Sequence, residues 1–314
     1  MSVDYAAIRE ITIKNFRCID DLHLSFLNPQ GNPTRVVVLA GPNGCGKTSV
    51  LEAILLANRN LTERRSMRHD TLIECEVAWP RYSSFQLTYC LGDRTQVISP
   101  SAKAMTYFSS WRTPKFVGSV GITVGKTPAA RRQKVDSDRL QLIKQFLVNA
   151  KAHDLFANGA RAQGAKAYER CIQNINRCWQ RFYPKCSFAV EPASEDPSQG
   201  FDLFLKSPGI EVPIDELSSG QLELLMFVGS LVIEDSKPGI ILIDEPELHL
   251  DPQWHRFVLQ TLLDLRPQSQ IIVATHSPEI YDSVASYERH FLVPQDDPRA
   301  ALWQPVLADA GAVQ

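Results

Sequence analysis

The sequence predicts an α/β fold with a mixed central sheet, an antiparallel β layer and an inserted helical subdomain. Three observations carry that prediction. Val36-Val37-Val38-Leu39, Ile240-Ile241-Leu242-Ile243 and Ile271-Ile272-Val273 are apolar without alternation, as strands covered on both faces are. Leu22-His23-Leu24-Ser25-Phe26, Ile73-Glu74-Cys75-Glu76-Val77 and Phe85-Gln86-Leu87-Thr88-Tyr89 alternate instead, which suits antiparallel strands with one wet face. Between about 136 and 182 the residues turn to helix formers, with Leu140, Ile143 and Leu147 and then Tyr168, Ile172, Ile175 and Trp179 at helical spacing.

The helical stretch opens at an Asp136/Ser137 cap candidate and is interrupted near Asn158-Gly159 and Gln163-Gly164, so two helices are expected. The polar stretch Glu191 to Gly200 contains Pro192 and Pro197 and reads as a loop or hairpin connection. The expected division is 1–125 for a first lobe with the antiparallel layer, 126–235 for the helical insertion, and 236–314 for a return to the core.

Composition narrows the function classes. At 314 residues the chain can form roughly two lobes, and 44% hydrophobic with 22% charged residues exclude disorder as the main state. Thirty-three Lys plus Arg against 35 Asp plus Glu give a net charge of −2, so no global field draws the chain onto nucleic acid. Contact with DNA, a candidate partner, would need a local patch such as Arg59, Arg64, Arg65 and Arg68 or Arg131-Arg132-Gln133-Lys134. No apolar run is long enough to span a bilayer and the first ten residues lack the features of a leader, so a cytoplasmic protein without a membrane partner is expected. Seven cysteines without a C-x-x-C pair fit neither a disulfide framework nor a zinc site and are expected to be reduced and mostly buried.

The strongest chemical signal is Gly41-Pro42-Asn43-Gly44-Cys45-Gly46-Lys47-Thr48, followed by Ser49. It matches G-x-x-x-x-G-K-S/T between the apolar strand at 36–39 and a helical pattern at 48–58. Glycines let such a loop wrap closely, its N–H groups point inward, and the following helix adds about half an elementary charge of positive potential. Lys47 is then placed to offset the β- and γ-phosphates of ATP, and the Thr48 hydroxyl to ligate Mg²⁺. Gly125-Lys126-Thr127 also reads GKT, but Val120 occupies the first glycine position and Pro128 follows, so a loop is expected there.

Asp244 and Glu245 end the strand at 240–243 and would leave the carboxyl edge of the sheet, where such folds bind ligands. Asp244 can hold Mg²⁺ through water, and Glu245 can orient or deprotonate the attacking water. Leu217-Ser218-Ser219-Gly220-Gln221 precedes the apolar helical pattern Leu222 to Ile233, so a serine hydroxyl, a glycine and a helix N-terminus converge in a second anion-binding edge or a plain N-cap. Asp251 before Pro252 is an N-cap signature. His276 follows the strand at 271–273 and is a candidate beside Glu245, whereas His249 and His255 read as packing or surface residues.

In that order, the loop at 41–48, Leu217 to Gln221, Ile240 to Glu245, Asp251 and His276 resemble the Walker A, signature, Walker B, D-loop and H-loop of P-loop NTPases of the ABC type. The wording of Ile11-Thr12-Ile13-Lys14-Asn15-Phe16-Arg17, Asp244-Glu245-Pro246-Glu247-Leu248-His249-Leu250 and Thr275-His276-Ser277-Pro278 is similar to the SMC/RecF/OLD branch. The resemblance implies two ATP molecules sandwiched head-to-tail between two subunits. Ser218, Ser219, Gly220 and Gln221 would then act in trans, Asp251 would lie at the dimer seam, His276 would sense the γ-phosphate, and Asn15 and Arg17 would lie near the nucleotide. No clear Q-loop glutamine is present, and Arg112 is the polar group expected in its place.

Only 38 residues follow His276, too few for the TOPRIM nuclease domain of OLD-type proteins, and the helical insertion is too short for a long coiled coil. The resemblance therefore implies an ATPase that dimerises on ATP and regulates an effector in trans, such as a nuclease, or a nucleic-acid transaction in DNA repair or anti-phage defence. One alternative is an ATP-gated scaffold with slow hydrolysis, distinguished by single-turnover rates. Another is the ATPase subunit of a membrane transporter, against which Leu222-Glu223-Leu224-Leu225-Met226-Phe227 lacks the Arg-rich start common in those subunits.

Overall fold

The computed structural model describes residues 5–58, 67–78, 85–90, 105–112, 117–122, 139–156, 167–196, 199–234 and 239–294. Contacts divide the chain into two compact units. The first comprises Met1–Tyr107, Lys237–Pro246 and Gln268–Gln314, the second Phe108–Ser236 and Glu247–Pro267. The GKT sequence at 125–127, the cap candidate at 136–137, the helix break at 158–164 and the basic runs at 59–65 and 131–134 lie outside the described residues.

In the first unit, β1 (Ala7–Phe16), β2 (Ile19–Ser25), β4 (Met67–Ala78) and β5 (Phe85–Cys90) form an antiparallel sheet in the order β2-β1-β4-β5. The alternation seen in the sequence is the burial pattern of this layer: Ile73, Cys75 and Val77 are buried while Glu74 and Glu76 between them are not. The central sheet has the order β12-β3-β11-β10-β6, from β3 (Val36–Ala40), β6 (Met105–Phe108), β10 (Gly239–Asp244), β11 (Ser269–Thr275) and β12 (Arg289–Phe291). The pairs β12·β3, β3·β11 and β11·β10 are parallel. Every residue of β3, β10 and β11 is buried, which is why these strands read as unbroken apolar runs. Helix α1 (Lys47–Ala57) shares one apolar core with both sheets and buries Val50, Leu51 and Ala53 through Ala57, as a helix apolar on nearly all sides must.

Gln270 fastens this unit. It is fully buried in β11, accepts the Ile8 N–H at 2.7 Å, and donates to the carbonyls of Ile8 at 3.0 Å and Thr34 at 2.8 Å. One amide thus satisfies three backbone groups that water cannot reach. Gln270→Leu is therefore expected to lower the unfolding free energy by about 3 kcal/mol, because a buried orphaned group costs roughly 1–3 kcal/mol. Urea unfolding checks this, and an unchanged midpoint would contradict it.

In the second unit, α2 (Arg139–Phe156), α3 (Ala167–Trp179) and α4 (Ser219–Ile233) pack pairwise. They bury the periodic positions Leu140, Ile143, Leu147, Ile172, Ile175 and Trp179. The antiparallel sheet β7-β8-β9 joins them, from β7 (Ser187–Pro192), β8 (Phe201–Ser207) and β9 (Ile210–Pro213). The polar stretch expected as a connection begins inside β7, which ends on Glu191 and Pro192, and its described residues Ala193–Asp196, Gln199 and Gly200 lie between β7 and β8. Lys144 of α2, fully buried, donates to Gly118 O and pairs with Asp202 at 2.7 Å and Asp215 at 3.2 Å. The Asp215 carboxylate also accepts the N–H groups of Val117 and Gly118. A buried cation with this many partners fixes the short turn Ile214–Glu216, whose Asp215 lies three residues before Ser218.

The cysteines correct one expectation. All seven are free thiols, but Cys18 and Cys90 are exposed, Cys171 and Cys186 intermediate, and only Cys45, Cys75 and Cys178 buried. Cys18 sits in the turn between β1 and β2, and Cys90 ends an edge strand, where packing covers less of a side chain. Complete burial pushes the Cys75 thiol well above its ordinary range, so it stays protonated and inert. Among the described residues, no helix is long and apolar enough to cross a membrane.

Candidate active site

Strand register assembles the site in the first unit. Asp244 lies opposite Ala274, and Thr275 opposite Ala40. The next residues of the three strands, Glu245, His276 and Gly41, therefore leave the sheet along one carboxyl edge.

The loop from Gly41 to Gly46 joins β3 to α1. Gly46 caps α1 in the left-handed region at φ 98°, which a β-carbon would strain. Asn43 and Gly44 are exposed at the loop's crest, while Cys45, Lys47 and Ser49 are buried beneath it. The Lys47 ammonium donates to the Gly41 and Pro42 carbonyls at 2.9 and 3.0 Å and lies 3.8 Å from Cys45 Sγ. Burial pushes the Cys45 thiol up, with the Lys47 charge opposing. The lysine is thus folded onto its own loop, within a short swing of any phosphate the loop holds.

The Thr48 hydroxyl lies 3.1 and 3.0 Å from the two carboxylate oxygens of Asp244, which is 1% exposed. The two expected metal ligands are therefore neighbours. A hydroxyl beside one carboxylate is a hard-oxygen pair that fits Mg²⁺, an ion commonly bound by one or two carboxylates with phosphate and water completing the shell. Among the described residues no cluster of three or more His, Cys, Asp or Glu could hold a metal by itself.

Glu245 has φ 51°, a conformation a non-glycine residue adopts at a cost. Its N–H donates to Ala274 O at 2.7 Å, tying the residue to the neighbouring strand. Its Oε1 lies 3.9 Å from His276 Nε2, with both side chains about one-third exposed (33% and 37%). Ser277 secures the turn after His276: its N–H donates to Thr275 Oγ1 and its Oγ caps α6 (Pro278–Asp282).

Asn15 and Arg17 share the left-handed conformation at φ 54° and 55°. Arg17 pairs with Glu52 of α1, so it borders the helix that carries Lys47 and Thr48. Cys18 Sγ, 3.7 Å from Ser49 Oγ, lies on the same helix start. The Asn15 amide is engaged by Asp70 on β4 at 2.6 Å.

The remaining motif residues belong to the second unit. Ser218 is the N-cap of α4 and forms a capping box: Gln221 N–H donates to Ser218 Oγ at 3.3 Å, and Ser218 N–H to Gln221 Oε1 at 3.0 Å. Ser218 and Ser219 are exposed. Gly220 meets the segment before Asp251 so closely that a β-carbon would lie 2.3 Å from His249 O. The exposed Asp251 caps the turn Pro252–Trp254 by accepting Gln253 N–H at 2.9 Å. His255 is a packing residue whose Nε2 lies 3.2 Å from Leu250 O.

Arg112 differs from the expectation of a polar group offered to a nucleotide. Its side chain is fully buried, paired with Glu223 of α4, donating to Ser109 O and lying 4.8 Å above the Phe227 ring. The cause is Glu223 itself, 1% exposed in an otherwise apolar helix, where a carboxylate requires a cation. Burial pushes the Glu223 carboxyl up to about 7, with Arg112 opposing. A lone acid inside an apolar helical pattern is the sequence signal that marks this pair.

A model of the family described as "AAA domain, putative AbiEii toxin, Type IV TA system" matches residues 99–282, and a second AAA-domain model matches 10–76. The chain is 27% identical to the OLD nuclease of Thermus scotoductus over 92% of its own length and spans 62% of that protein. It is 24% identical to the Septu protein PtuA of Bacillus thuringiensis, covering 90% of this chain and 74% of that one. In fold it is similar to an SMC head solved bound to the C-winged helix domain of ScpA, with a TM-score of 0.55 and 15% identity over 91% of this chain and 97% of that one.

Proposed function

Because the chain belongs to the AAA-domain family whose model spans residues 99–282, within the SMC/RecF/OLD branch of ABC-type ATPases, we propose that it hydrolyses ATP while two copies embrace the nucleotide head-to-tail. The observation that carries this reading is the meeting of Thr48 with both oxygens of Asp244, on the edge where Glu245 faces His276.

The loop N–H groups and the start of α1 hold the phosphates. Lys47 exchanges the Gly41 and Pro42 carbonyls for β- and γ-phosphate oxygens. Mg²⁺, ligated by Thr48 and held through water by Asp244, would supply further neutralisation of the phosphate charge. The Glu245 carboxylate accepts a hydrogen bond from the attacking water and draws its proton, and His276 contacts the γ-phosphate.

Ser218 of a second copy completes the site. Its Oγ accepts the Gln221 N–H and so keeps its own O–H to donate to the γ-phosphate. Departure of the cleaved phosphate removes the shared ligand and lets the pair open. This cycle would regulate an effector in trans, a nuclease or a nucleic-acid transaction in DNA repair or anti-phage defence. A nuclease among the relatives supports that choice, with the chain spanning 62% of it.

Steady-state phosphate release with Mg²⁺-ATP, beside molar mass by light scattering, tests the reading. Turnover and an ATP-dependent doubling of mass are expected. A monomer at every nucleotide and protein concentration would overturn it.

A further inference from the structure

We propose that Thr275, the last residue of β11, is the positioning residue that sets His276 against the γ-phosphate, a role that rests on the reading of His276 as the group that contacts that phosphate.

Thr275 interrupts an apolar run. Ile271, Ile272, Val273 and Ala274 precede it, every residue of β11 is buried, and Thr275 itself is 0% exposed. A valine would fill such a place with a second methyl, whereas a hydroxyl taken out of water costs free energy unless it is hydrogen-bonded. Its partner is the Ser277 N–H, which donates to Thr275 Oγ1 at 2.9 Å. Ser277 is buried as well, which leaves that N–H little water to turn to instead.

A side-chain oxygen that accepts the N–H two residues on closes a tight turn, and the one residue between Thr275 and Ser277 is His276. Each side of the turn is anchored separately. On the near side Thr275 lies opposite Ala40 of β3, whose next residue opens the phosphate loop, and Ala274 O accepts the Glu245 N–H at 2.7 Å. On the far side Ser277 Oγ accepts the Ile280 N–H at 3.2 Å and donates to Glu279 Oε2 at 2.9 Å, while Ser277 O accepts the Tyr281 N–H at 3.1 Å. The Thr275 hydroxyl joins these two anchored pieces and sets the angle between them, where the His276 Cα lies. Glu245 does not take over that task, since its Oε1 stands 3.9 Å from His276 Nε2, beyond ordinary hydrogen-bond reach. A ring that must meet a phosphate oxygen depends on the backbone that carries it, and a misplacement of about 1 Å can lower a rate on the order of 10²-fold.

The test is Thr275→Val, which keeps the β-branch and removes the acceptor. Its kcat is expected to fall about 10–100-fold. ADP affinity is expected to stay within about twofold, because ADP uses the same cradle and lacks the phosphate that His276 meets, whereas a general disturbance of the site would weaken both. Thr275→Ser restores the hydroxyl and should recover turnover to within about threefold of the parent. Thr275→Cys offers sulfur, a weaker acceptor, and should fall between serine and valine; this series decides the matter even where the valine variant does not fold. In a His276→Ala background Thr275→Val should lower kcat no further, since the two act through one side chain. Gln270→Leu, which loses stability in the same strand without touching the turn, is expected to keep the parent's kcat. If the valine and cysteine variants turn over like the parent while His276→Ala is impaired, or if Gln270→Leu loses as much kcat as Thr275→Val, the role of Thr275 is overturned and the reading of His276 stands. If His276→Ala turns over like the parent, that reading falls and the role of Thr275 with it.

Discussion

Glu245→Gln is expected to bind ATP normally, to hydrolyse it about 10²–10⁴-fold more slowly, and to accumulate as ATP-bound pairs. The amide keeps the size and backbone of the residue but cannot take a proton from water. Nothing else at this edge replaces it readily. Asp244 is 1% exposed and turned to Thr48, and the His276 ring lies 3.9 Å from the Glu245 carboxylate as its neighbour on the edge. The left-handed backbone of Glu245 belongs to the same argument. A conformation costing on the order of 1–3 kcal/mol at the residue placed to handle water is kept because it aims the carboxylate off the end of β10. Phosphate release and light scattering measure both halves of this prediction, and turnover within a few-fold of the parent would remove Glu245 from its role.

Lys47→Ala is expected to weaken ATP binding by roughly 10–100-fold, the equivalent of about 1.5–3 kcal/mol for a hydrogen bond to a charged group. The effect falls on affinity because the ammonium offsets phosphate charge in both the bound and the reacting states. Part of the loss is returned, since the free protein no longer holds an ammonium on the Gly41 and Pro42 carbonyls. The helix start and the loop N–H groups remain, so weak binding persists. Titration with a fluorescent nucleotide measures the change, and a dissociation constant within twofold of the parent would contradict it.

The parts of the fold that are legible in the sequence are those where burial is symmetric or strictly alternating. Strands β3, β10 and β11 announce themselves because both faces are covered, and β2, β4 and β5 because one face is wet. The loop at 41–48 is legible because its glycines, lysine and threonine are demanded together by one anion. Other features depend on partners far away in the chain. Arg112 meets Glu223 across 111 positions, and Gln270 meets Ile8 across 262; the lone acid in the apolar pattern of α4 marks Glu223, but no local pattern names its partner or announces the contacts of Gln270.

The left-handed residues Arg17 and Glu245 carry side chains with no preference for that region, which tertiary contacts alone impose. Cysteine burial was likewise a matter of place: Cys18 and Cys90 stand at a turn and a strand end.

The central claim is that each triphosphate is shared by the cradle of one copy and the Ser218 turn of another, and mixing two inactive variants tests it most directly. At an ATP concentration near the parent's dissociation constant, Lys47→Ala leaves its weakened cradle mostly empty and Ser218→Arg lacks a working turn, so each alone should show little activity. Mixed one to one, the account predicts that ATPase activity returns, because a mixed pair contains one site built from the intact cradle of the second variant and the intact turn of the first. A mixture that exchanges subunits and remains as inactive as its components would contradict it.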